Sequence, residues 1–133
     1  MASKYSEDEH RATVSMLRNI LVHQAREGRL ITYGELCRRA QSAGAPIPVE
    51  PFQDQFHQML YEISASEDSA GRGILTALVV GEEERLIGPG KNFVPLMAEL
   101  GRDVRNPQHA WIHELMKVAR VWVCQMDESK LRS

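Results

Sequence analysis

The stretch "GRLITYGELCRRA", residues 28–40, decides the fold. Gly28 stops a preceding helix as a C′ residue. Leu30 and Ile31 then give a two- or three-residue extended piece. Thr32 stands three residues before Glu35, which is capping-box spacing for a second helix. Tyr33, Leu36, Cys37 and Ala40 make that helix's inward face, with Arg38 and Arg39 pointing mostly outward. So short and firmly punctuated a connection suits a strand that must pair while the next helix begins at once.

Upstream, Ser6 and Glu9 have the same capping spacing, and Val14, Leu17, Leu21 and Ala25 recur at helical intervals. Downstream, Gly44 ends the second helix, and "APIPVEP" is kept extended by its prolines. Pro51 suits the first turn of a third helix. In it Phe52, Phe56, Met59, Leu60 and Ile63 make an amphipathic stripe. "ILTALVV", residues 74–80, is apolar on both faces and predicts a covered strand, with "RLIG", residues 85–88, as its hairpin partner. "NFVPLMAELG" predicts a short helix with Asn92 as its N-cap. Asn106 and Pro107 open a last helix carrying Trp111, Leu115, Val118, Ala119, Trp122 and Met126 on one stripe. That helix either caps this core or pairs with a second copy as a homodimer. The expectation is therefore one domain over 1–133. Its class is α+β, mainly helical, with a winged-helix-like core over about 7–100: helix, short strand, two helices, β-hairpin. Two additional C-terminal helices follow the hairpin, with a C-terminal helical extension over about 101–126 and a frayed tail over 127–133.

A chain of 133 residues suits one core. No apolar run reaches the ~20 residues of a membrane span. The N-terminal "MASKYSEDEH" has no apolar signal core, so the expected compartment is the cytoplasm. Cys37 and Cys124 lack metal or redox spacing, and no cofactor is expected. Charge is uneven along the chain. Residues 1–45 hold seven Lys/Arg and five Asp/Glu, whereas residues 46–70 hold five acids and no Lys or Arg. A general polyanion binder usually carries a clearer basic excess.

"ITYGELCRRA" resembles the "TYGELA"-type segment of the alkylguanine-DNA alkyltransferases and of the catalytically dead alkyltransferase-like proteins. The likeness covers roughly residues 12–100 and implies a winged-helix DNA-binding domain. The active family carries a Pro-Cys-His-Arg segment that supplies the alkyl-accepting thiolate. The aligned region here is "ILTALVVG", without cysteine or histidine, so the resemblance implies fold and argues against alkyl transfer.

A winged helix reads DNA with its third helix. Of the polar residues there, Gln55 and Gln58 face outward. Phosphate contacts would fall to Arg38, Arg39, Arg72, Arg85 and Lys91, since the third helix has no cation to release counterions. The acids of that region, Glu50, Asp54, Glu62, Glu67 and Asp68, offer instead a face for a basic protein. "GPGKNF" lacks P-loop spacing and reads as a turn. His109 and His113 share a helix face at i and i+4, but the glutamate follows the second histidine rather than the first, as in no zinc-protease motif, so no metal site is assigned. No serine or cysteine has a nucleophile's context.

Two functions follow. The first is a non-catalytic DNA-binding or DNA-associated regulator. The alternative is a protein-binding inhibitor, such as an immunity protein or antitoxin, whose acidic face masks a basic nuclease toxin. Opposite charge would speed such capture. An enzyme is not expected, nor a membrane partner.

Overall fold

In the computed structural model, residues 5–81 and 92–131 are described, with backbone alone for 124–131. The chain is mainly helical with a minimal sheet. Its elements are α1 (Glu7–Glu27), β1 (Ile31–Thr32), α2 (Tyr33–Ser42), α3 (Asp54–Ser69), a 3₁₀ turn (Leu75–Leu78), β2 (Val79–Val80), α4 (Phe93–Glu99) and α5 (Pro107–Leu131). The strands pair in parallel, Ile31 with Val79 and Thr32 with Val80. The expected class, α+β and mainly helical, is the one observed.

Local chemistry explains the boundaries. Ser6 and Glu9 form a complete capping box at the start of α1. Thr32 Oγ1 accepts the Glu35 amide at 3.1 Å and starts α2. Glu35 turns its own carboxylate to Arg38 and Arg39 instead. Four helices end alike. Gly28, Gly44, Gly71 and Gly101 all take positive φ after α1, α2, α3 and α4. The following residue's amide then returns to a carbonyl five residues back, as in Arg72 to Glu67 and Arg102 to Met97.

Three expectations change. Residues 74–80 are not a continuous strand: Leu75–Leu78 form a 3₁₀ turn and only Val79–Val80 pair. Both arrangements bury a short apolar run on all sides, and here Ile74, Leu75, Ala77 and Leu78 are all buried. The proposed partner strand at 85–88 lies outside the described residues. The last helix does not fray at 127 but continues to Leu131, because "DESKL" contains no glycine or proline to stop it. Finally, α3 starts at Asp54 rather than at Pro51. The Gln53 amide bonds the Glu50 carbonyl at 3.1 Å, closing a turn over residues 50–53 with Pro51 at its second position. Phe52 therefore leaves the helical stripe and points outward.

The larger core joins Leu17 and Leu21 of α1, Leu36 of α2, Phe56 and Ile63 of α3, and Val118 and Trp122 of α5. A smaller one gathers Ile74, Ala77, Phe93, Met97 and Trp111, and Leu115 packs against both. Trp111 Nε1 donates to the Ala77 carbonyl at 2.8 Å. Both tryptophans thus cap this core, leaving Ile112 and Met116 exposed on the outer face of α5. No helix among the described residues is long and apolar enough to cross a membrane.

A buried ion cluster locks the helices together. The Glu67 side chain is 1% exposed and accepts bonds from Arg18 of α1, at 2.5 Å, and from Arg72 beyond the Gly71 turn. Its neighbour Asp68 holds Arg102 at 2.5 Å, and Arg102 also donates to Glu114 of α5 at 3.1 Å. Burial raises the Glu67 pKa, but hydrogen bonds from Arg72 and Arg18 outweigh it and hold the carboxyl below its ordinary range. A depressed carboxylate contributes stability that is complete above the unfolded pKa and lost as pH falls through the folded one. Acid titration followed by circular dichroism should therefore show the wild type losing stability below about pH 4.3, the ordinary glutamate value. Glu67→Gln should flatten that dependence. It should also cost about 1–3 kcal/mol at pH 7 by urea denaturation, because a neutral amide replaces the anion shared by Arg18 and Arg72, whose own side chains stay more than a third exposed.

Candidate docking site

The residues expected to contact DNA do not converge. Arg38 is exposed and pairs with Glu35. Arg39 is tied to Glu35 at 2.9 Å and to Gln24 Oε1 at 2.9 Å. Arg72 is committed to the buried Glu67. Arg85 and Lys91 lie outside the described residues. Gln58 is exposed on α3 and Gln55 is half-buried.

The expected acidic face is also redistributed. Glu67 is buried and cannot meet a partner, which corrects its assignment to that face. Asp68 is 23% exposed and bound to Arg102. Glu62 pairs with His10 across α1 and α3 at 2.7 Å. Internal partners thus take three of the five acids. Glu50 and Asp54 stay exposed, and no described cation pairs with either. Between them stands Phe52, 96% exposed. The 50–53 turn, rather than the helix, aims this ring.

Asp54, two residues along the chain from Phe52, lines a cavity of about 250 Å³. Tyr33 at the start of α2, Tyr61 of α3 and Phe93 of α4 supply its rings, and Asp54 and Glu99 its carboxylates. No described Lys or Arg lines it. His57 fixes the floor. Its Nε2 lies 2.6 Å from the Pro51 carbonyl, which only accepts, so Nε2 carries the proton. The Asn92 amide nitrogen lies 3.2 Å from both ring nitrogens. The expected Asn92 N-cap is absent, because this side chain meets His57 and makes no cap bond to α4. The Tyr33 ring packs against His57 at 5.5 Å and edge-on to Phe56 at 6.4 Å. Burial pushes the Tyr33 phenol up to about 12.

A second hollow, of about 410 Å³, lies between Arg102, Arg105, His109 and His113. His109 and His113 are exposed there. Among the described residues no group of three His, Cys, Asp or Glu could hold a metal ion.

No known protein family, curated protein or solved structure matches the chain. Its chemistry must be read from its own residues.

The outward Phe52 escaped the helical periodicity, although Pro51 marked the spot. A proline opens a turn as readily as a helix, and Glu50 and Gln53 close this one. Arg102 carries a signal only in retrospect, since an arginine directly after a helix-ending glycine recurs at Gly28–Arg29, Gly71–Arg72 and Gly101–Arg102, whereas Arg18, inside α1, carries none.

Alkaline titration of tyrosinate absorbance should separate one phenol, near pH 12, from the chain's other two. Tyr33→Phe is expected to abolish that late step and leave the others in place.

Proposed function

We propose that this chain is a cytoplasmic, non-catalytic binding protein whose turn 50–53 and first turn of α3 capture a basic protein. The observation that carries this reading is the ring of Phe52, 96% exposed between two carboxylates that no described cation neutralises. A fully exposed large aromatic is costly to leave in water and is the type of residue that anchors protein interfaces. The flanking Glu50 and Asp54 favour a cationic partner, both by steering its approach and by repelling acidic competitors. An inhibitor that masks the cationic cleft of a nuclease is the concrete version.

A second reading is DNA association. The specific observations in its favour are the exposure of Gln58 on α3 and of Arg38 on α2, the latter 75% exposed with a surface ion pair to Glu35 that is worth little. The likeness of "ITYGELCRRA" to the alkyltransferase segment points the same way. The two readings differ in the charge of the bound species.

A photo-crosslinking amino acid placed at position 52 of the full chain, in cells, should yield an adduct with a basic protein. Reversing Glu50 and Asp54 to Lys should remove that adduct. An adduct with nucleic acid, or one unchanged by the double reversal, overturns the docking reading. For the DNA reading, random duplex should be retarded at low salt and released steeply as salt rises. Arg38→Glu should weaken that retardation, and no retardation at low salt overturns it.

A further inference from the structure

We infer that the cavity lined by Asp54 and Glu99 receives an arginine side chain of the captured partner. This inference rests on the docking reading above and names the chemistry of one contact within it. The cavity, at about 250 Å³, has several times the ~30 Å³ that one water occupies in the liquid. It therefore has room for a planar head group and the methylenes behind it.

Its walls are of two kinds. Tyr33, Tyr61 and Phe93 supply rings, whose faces attract a cation through their quadrupole. Asp54 and Glu99 supply carboxylates, both exposed and neither paired with a described cation. A ligand entering here meets carboxylates and rings, with no Lys or Arg among the described lining residues.

Between the two biological side-chain cations, the geometry selects guanidinium. It is planar, so it stacks on a tyrosine ring while its edge donates to a carboxylate. Its fork presents donors in more than one direction and can engage Asp54 while a second N–H reaches a neighbouring acceptor. A lysine ammonium is compact and strongly hydrated, and it gives up more water to enter an aromatic-walled space.

The test is an NMR titration of the isotopically labelled full chain with the capped tripeptide acetyl-Gly-Arg-Gly-amide. The citrulline and lysine counterparts serve as comparisons. Citrulline keeps the shape and hydrogen-bonding edge but carries no charge. The arginine peptide should give saturable shifts at His57, Tyr61 and the Asp54 amide. The citrulline and lysine peptides should bind about tenfold or more weakly. The double variant Asp54→Asn, Glu99→Gln should lose about the same factor, with its own spectrum reporting that the fold is intact. Citrulline or lysine binding as tightly as arginine overturns the inference. So does an arginine peptide that leaves His57 and Tyr61 unperturbed. If the position-52 adduct persists in that case, the docking face stands and only the arginine assignment falls.

Discussion

The constraint on which the rest depends is the burial of one carboxylate. Glu67 sits in the last turn of α3 at 1% exposure. An unpaired charge there would be untenable, so two arginines must converge on it. Arg72 reaches it because the Gly71 turn folds the chain back, so the Arg72 amide bonds the Glu67 carbonyl at 3.0 Å while its guanidinium takes the carboxylate. Arg18 reaches it from α1, and its guanidinium carbon also lies 5.9 Å from the Trp122 ring centre on α5. Arg26, one helical stretch further along α1, lies 5.7 Å from the same ring. One anion thereby fixes the relative positions of α1, α3 and α5. The adjacent Asp68 repeats the arrangement through Arg102 to Glu114, tying α3 to the loop before α5 and to α5 itself.

How much of this was legible depended on the range of each interaction. Caps were readable because they join residues three apart, as Ser6 with Glu9 and Thr32 with Glu35 do. The pairing of the tiny strand with residues near 79 was also accessible, since a β-branched pair between two helices has few other uses. The 3₁₀ turn at Leu75–Leu78 was not, because a run buried on every side has no period to reveal its geometry. What anchors it is non-local: Ser64 and Thr76 hydroxyls meet at 2.5 Å, and Trp111 reaches the Ala77 carbonyl. The ion cluster was hidden for the same reason. Glu67 and Arg18 are 49 residues apart, and nothing in their local sequence distinguishes a buried acid from a solvated one.

That distinction governs how surface chemistry should be inferred from charge. A window of five acids and no bases reads as a strongly acidic face. Folding instead pairs Glu62, Glu67 and Asp68 with cations from α1, the Gly71 turn and the α4–α5 connection. The negative field contracts to Glu50 and Asp54, with Glu99 joining from α4 across the cavity. The same pairing removes Arg39 and Arg72 from the supply of free cations. Both sequence-level functions are thereby weakened in their original form, and the charge that survives is smaller but better placed.

It is better placed because Glu50 and Asp54 flank in sequence an aromatic ring that folding does not use. Phe56 of α3 is fully buried, and Tyr33 packs on Phe56 and His57. Phe52 alone is set outside by the turn at Pro51, and the carbonyl of that proline fixes the proton on His57. The turn thus does two things at once: it sets the Phe52 ring in solvent, and through the Pro51 carbonyl it orients His57, six residues on, which lines the cavity. Packing of the core requires neither, and the proposed docking reading uses both.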